Sequence, residues 1–135
     1  MLSFDLQDEI WSLFRSSPEV LSILGITDDQ DYDQLNARIR REECPVSLLT
    51  PDVLPFVSLV FINSHRTGNH LVNNGVLELS IYTSTRYDAM QLFKVLKELL
   101  QSRYEDFSIV HEGQIPSGVV GIYQYSIRFS PFVSA

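Results

Sequence analysis

The chain has 135 residues, enough for one domain and too few for two that each bury a useful core. Its apolar fraction of 44% is that of a globular protein, not of a disordered chain. The formal net charge of −7, with only ten Lys and Arg, argues against a surface that grips nucleic acid, because phosphate binding needs a basic stripe. The basic residues cluster once, at Arg38, Arg40 and Arg41, and Glu42 and Glu43 follow directly.

Cys44 is the single cysteine, so no disulfide within the chain is available, which suits a reducing compartment. Met1 to Glu9 has no basic segment and no long apolar run, and is not expected to act as a signal peptide. No run approaches the roughly 18 apolar residues of a membrane span.

The elements follow in chain order. Leu6, Ile10, Leu13 and Phe14 recur at helical spacing, predicting a helix over about residues 4–16 with Ser3 as its N-cap. Ser17 and Pro18 open a short second helix, and Gly25 is placed to close it. Thr27 and Gln30 have capping-box spacing, and Leu35 and Ile39 share a face, predicting a third helix that runs to Glu43. Pro45, Pro51 and Pro55 then write an irregular arm over residues 44–55.

Phe56 to Ile62 is an apolar β run expected to be covered on both faces. Residues 63–74 are polar and rich in turn formers, and Asn74-Gly75 is a strong turn signal. Val76 to Thr83 alternates, with Leu77, Leu79 and Ile81 on one side and Glu78, Ser80 and Tyr82 on the other. The two runs predict a hairpin with a long tip.

Thr85 and Asp88 cap a helix whose stripe is Ala89, Leu92, Phe93, Leu96, Leu99 and Leu100. Ser108 to His111 is expected as a short strand, and Gly113 to Gly118 as a turn. Val119 to Phe129 is expected as a long strand, with Val119, Gly121, Tyr123, Tyr125, Ile127 and Phe129 on one face. The expected fold is therefore a single α+β domain spanning residues 1–135. It divides into a helical segment (1–43), a proline-bounded arm (44–55), and a largely antiparallel sheet of about four strands with a long helix (56–135), helices packing on one sheet face.

Catalytic signals are weak. His65 and His70 fall in the polar hairpin loop and His111 near a strand end, none beside a Ser or Cys in an elbow motif. No carboxylate or thiol near His65 and His70 completes a metal shell. Asp28, Asp29, Asp31 and Asp33 lack the central glycine of a calcium loop. The glycines at 25, 68, 75, 113, 118 and 121 form no phosphate-binding loop. No catalytic residue, cofactor or metal is expected, and the chain reads as a non-enzyme. Tyr82, Tyr87, Tyr123 and Tyr125 are of the type that enriches interfaces.

The order of elements resembles that of the small tail terminator (tail completion) proteins of long-tailed bacteriophages. The resemblance rests on an N-terminal helical segment, Leu54-Pro55-Phe56 opening a strand, and a polar loop. It continues through the run from Asn69 to Tyr82, and through Arg86-Tyr87-Asp88-Ala89 starting a helix with Leu92, Leu96 and Leu99, to a final long strand. Ile26 to Glu43, acidic at its start and ending Arg-Ile-Arg-Arg, is similar to relatives in phages of Gram-positive hosts.

The resemblance implies a homohexameric ring, assembled in the host cytoplasm and sited in the virion at the head-proximal end of the tail. Its expected partners are its own copies, the tail tube protein and the head–tail connector or stopper protein. DNA would pass through the lumen without specific binding, and no membrane is involved. The expected contact residues are His65, Arg66, Thr67, Asn69, His70, Leu71, Val72, Asn73 and Tyr82.

A connector or stopper of the neck is the close alternative. A small-molecule-binding α+β domain, with a pocket at His111, Glu112 and Tyr123, is a second. A host adaptor that binds by strand addition at a sheet edge is a third.

Overall fold

The computed structural model describes residues 3–42, 49–62, 76–104 and 108–130, and in them four helices lie on one face of a five-stranded sheet. The helices are α1 (Ser3–Arg15), α2 (Pro18–Ile23), α3 (Tyr32–Arg38) and α4 (Arg86–Arg103). The strands are β1 (Ile39–Arg40), β2 (Phe56–Ile62), β3 (Val76–Thr83), β4 (Ser108–Ile115) and β5 (Tyr123–Ser130). Their order in the sheet is β1-β2-β3-β5-β4. All neighbours are antiparallel except β1 and β2, which pair in parallel.

The α+β class is as expected, with five strands where about four were. The extra strand is the two-residue β1. Ile39 leaves the helical conformation at φ −119°, ψ 89°, so Arg40 pairs with Ser58 and the third helix stops five residues short of Glu43. That helix also starts later than its sequence signal. Asp31, not Thr27, is the N-cap, accepting from the N–H groups of Asp33 and Gln34. The Gln34 side chain reaches back and accepts from the N–H groups of Thr27 and Asp28.

α1 begins at Ser3, which therefore lies inside the helix and not before it. α2 follows its sequence signals closely: the Ser17 hydroxyl accepts from Val20 N–H, and Gly25 ends the helix at φ +72°. The left-handed glycine lets Ile26 N–H reach back to Leu21 C=O at 2.8 Å, satisfying a terminal carbonyl.

The core lies between the helices and the near face of the sheet. Leu6, Ile10 and Phe14 of α1, and Ala89, Leu92, Leu96 and Leu100 of α4, are buried on Leu59, Leu77, Leu79, Ile81, Ile127 and Phe129. Each leucine so buried contributes about 2 kcal/mol against leaving it in water. Thr85 caps α4 through Asp88 N–H at 3.2 Å, as its spacing predicted. At the other end of α4, the Tyr104 hydroxyl donates to Glu9 Oε1 at 2.8 Å, and Arg103 pairs with the same oxygen.

Two buried side chains of α1 reach backbone carbonyls of the sheet. Gln7 Nε2 donates to Leu59 C=O at 2.6 Å and to Arg41 C=O at 2.8 Å, and Trp11 Nε1 donates to Ile39 C=O at 3.0 Å. β1 is too short to pair with all of β2, and Gln7 takes the carbonyl left over. Arg38 Nη1 holds the segment leading into β2 by donating to Val53 C=O and Pro55 C=O, where Pro51–Val53 forms a single 3₁₀ turn.

At the far end of the sheet, β4 extends to Ile115. Gly113 pairs with Ser126 and lies in the strand, not in a turn. The turn instead covers residues 116–122, with Gly118 at φ +80° and Gly121 at φ +84°. Val119 and Gly121 are therefore outside β5, which begins at Tyr123. A register shift between Ile109 and His111 bulges β4 against β5.

Replacing Gln7 by Leu should lower stability by about 2–3 kcal/mol in denaturant unfolding, because two buried carbonyls lose their donor while volume is nearly kept. The Tyr104 phenol is raised above its ordinary value near 10, first by burial and then by Glu9. The folded state therefore holds the proton after the unfolded chain has released it. The stabilisation is intact below pH 10 and declines as the pH rises beyond it. Tyr104→Phe should give a melting temperature that falls less steeply than wild type between pH 10 and 11.

Candidate functional site

The sheet face away from the helices is built from three rows that cross the strands. Strand alternation and the observed register place Phe56, Tyr82, Gln124 and Ile115 in one row. Ser58, Ser80, Ser126 and Gly113 form the next, with Arg40 continuing it on β1. Val60, Glu78, Arg128 and His111 form the third.

The middle row consists of small side chains, and its serines are buried. On one side Phe56 and Tyr82 stack with centroids 4.5 Å apart at an interplanar angle of 11°. Leu49 and Ile122 are buried against Phe56, and Leu54, Tyr82 and Val119 pack around them, making a second apolar cluster separate from the main core. On the other side Arg128 Nε donates to Glu78 Oε2 at 2.9 Å.

The row is polar, and its hydroxyls are satisfied. Ser80 Oγ and Ser126 Oγ are 2.9 Å apart, and Ser58 Oγ donates to Glu42 C=O at 3.0 Å. Glu78 Oε1 is 3.4 Å from Ser80 Oγ, but the same carboxylate is held by Arg128, so it orients a hydroxyl and does not activate one. At the β1 end, Arg40 Nε is shielded from solvent, and no described residue accepts from it. Among the described residues, these rows hold no paired nucleophile and base.

Tyr82 is the one expected contact residue that lies within the described part of the chain. It stands on this face, in the aromatic pair. His65, Arg66, Thr67, Asn69, His70, Leu71, Val72 and Asn73 lie outside the described residues, as do Cys44 and Pro45.

The structure does not bring His111, Glu112 and Tyr123 together. His111 pairs with Arg128 and shares the far face, whereas Glu112 pairs with Ile127 and shares the helix-bearing face. Tyr123 pairs with Thr83 beyond the end of β4. Glu112 instead acts on Tyr125, whose phenol is raised first by burial, then by Glu112 and Tyr123.

The aspartates at 28–33 serve local turns. Asp28 Oδ1 accepts from Gln30 N–H, and Asp31 caps α3. Among the described residues no three His, Cys, Asp or Glu side chains gather as a metal would need. No described helix is long and apolar enough to cross a membrane.

The row of serines and the place of Arg40 beside it are not legible in the sequence. Ser58 interrupts an otherwise apolar run, and Ser80 and Ser126 lie in strands that alternate. Those interruptions are a signal only once the register sets them side by side. Against known proteins, no family model matches the chain, and neither a curated protein nor a solved structure matches it.

Ser80→Ala and Ser126→Ala should each lower stability by about 1 kcal/mol, since the remaining hydroxyl loses its buried partner. The double variant should lose less than the sum, because both ends of the bond are then gone. Denaturant titration of the four proteins measures the difference.

Proposed function

We propose that the chain is a structural protein of a long-tailed bacteriophage, a tail terminator. In this reading its copies form a ring that caps the tail tube and joins it to the head connector. The observation that carries the reading is the two-sided sheet. One face is buried by the chain's own helices, while the other carries no described helix and has an aromatic pair, a row of small side chains and an Arg40 Nε from which no described residue accepts. A partner protein fits such a face better than a substrate does, since docking requires no reactive pair.

The order of elements supports the same reading. N-terminal helices, a hairpin joined across residues 63–75, a long amphipathic helix and a second hairpin follow one another as in that resemblance. The charge of −7 fits a ring whose lumen passes DNA, because an acidic wall lets phosphates slide without adhering.

Gold-labelled antibody against the chain should mark one position per phage particle, at the junction of head and tail. Particles made without the chain should carry tail tubes of irregular, extended length with no heads attached. Virions that bind no antibody would refute the proposal. Tubes of normal length with detached heads would move the role to the connector or stopper.

A further inference from the structure

Two surfaces at opposite lateral ends of the helix layer complement each other in relief and charge. α3 packs on β1 and β2 at one end of the sheet order, and α4 packs on β3 and β5 toward the other. At the α4 end, Met90, Phe93, Tyr123 and Tyr125 line a groove of about 420 Å³, with Arg86 and Lys94 also on its walls. Phe93 meets Tyr125 edge-on at 5.2 Å, and Lys97 Nζ is 5.7 Å from the Phe93 centroid.

Among the described residues no carboxylate forms an ion pair with Arg86, Lys94 or Lys97. Glu112, beside Tyr125, offsets part of this charge, and Asp88 lines a separate cleft toward Ile23 and Leu54. Of the residues that line the groove, the charged ones are Arg86 and Lys94, both cationic.

At the α3 end, Tyr32 is 53% exposed yet fixed in place. Its ring stacks on Trp11 at 6.2 Å, and the Arg15 guanidinium lies 4.8 Å from its centroid. Asp31 and Asp33 flank it in sequence and Asp28 and Asp29 precede it, all exposed, and among the described residues none has a cationic side chain within ion-pair distance.

We propose that these surfaces meet between neighbouring copies of the chain: Tyr32 of one enters the Met90–Tyr125 groove of the next, and the aspartates flanking it in sequence face Arg86 and Lys94. This deepens the ring reading and rests on it. A contact between two different patches leaves one patch free at each end, so it propagates around a closed ring. It also answers an electrostatic difficulty. Copies carrying −7 repel one another overall, and a bipolar arrangement turns that repulsion into attraction in one orientation only.

The test is sedimentation of the full chain at low salt and rising concentration. Wild type should form oligomers, whereas Tyr32→Ser and Met90→Asp, both at exposed positions, should stay monomeric with circular dichroism melts close to wild type. An equimolar mixture of the two should give a dimer and nothing larger, since only one of its two junctions is intact. As a second set, Asp33→Lys and Lys94→Glu should each weaken assembly at least tenfold, and both changes in one chain should restore it.

Variants that assemble like wild type, or mixtures that remain monomeric, would overturn this contact and leave the ring itself standing. A wild type that is monomeric at its highest soluble concentration, and remains so on purified tail tubes, would overturn both.

Discussion

A sheet edge must find partners for its carbonyls, and here α1 provides them. β1 offers only two residues to β2, so the backbone beyond Arg40 would face the core unpaired. Gln7 and Trp11 sit one helical turn apart on α1 and turn their donors onto Leu59, Arg41 and Ile39. The placement of α1 over β1 and β2 follows, and with it the position of the α1 leucine, isoleucine and phenylalanine stripe. Arg41 adds to this by stacking its guanidinium over Trp11 at 4.6 Å while pairing with Asp8. The Asp8 carboxylate is largely exposed, so the pair orients more than it stabilises.

The other face of the sheet carries no described helix. With all helices on one side, the chain needs only short means to keep the far face from collapsing. Small serines bonded to one another do this in the centre, and a local aromatic cluster does it at the turn that covers residues 116–122. The turn is itself closed by Ser117, whose hydroxyl reaches Ile122 C=O at 3.0 Å and accepts from Val119 N–H.

Much of the fold could be read in the sequence because its signals were local. Ser17, Gly25, Thr85 and the α4 stripe act within a turn or two of themselves, and each behaves as its chemistry requires. The failures involve competition or distance. Thr27 lost the cap to Asp31, whose carboxylate reaches two N–H groups. β1 is too short to show any period, and its existence depends on β2, which follows it by sixteen residues. Gly113 read as a turn because glycine breaks patterns, yet opposite Ser126 a missing side chain is compatible with a strand. The apparent alternation through Val119 and Gly121 had no strand beneath it, since Gly118 and Gly121 both take positive φ. The site was less legible still, because a row assembled from four strands has no signature within any one of them.

The asymmetry of the two sheet margins has a consequence for how the molecule behaves when crowded. The β1 margin is plugged: Gln7 occupies the carbonyl on which a foreign strand would begin to zip. Among the described residues, β4 is the only long strand with one neighbour, and its bulge and the exposed His111 and Glu112 roughen that margin. Both margins among the described residues therefore carry a feature that disfavours the regular addition of a further strand.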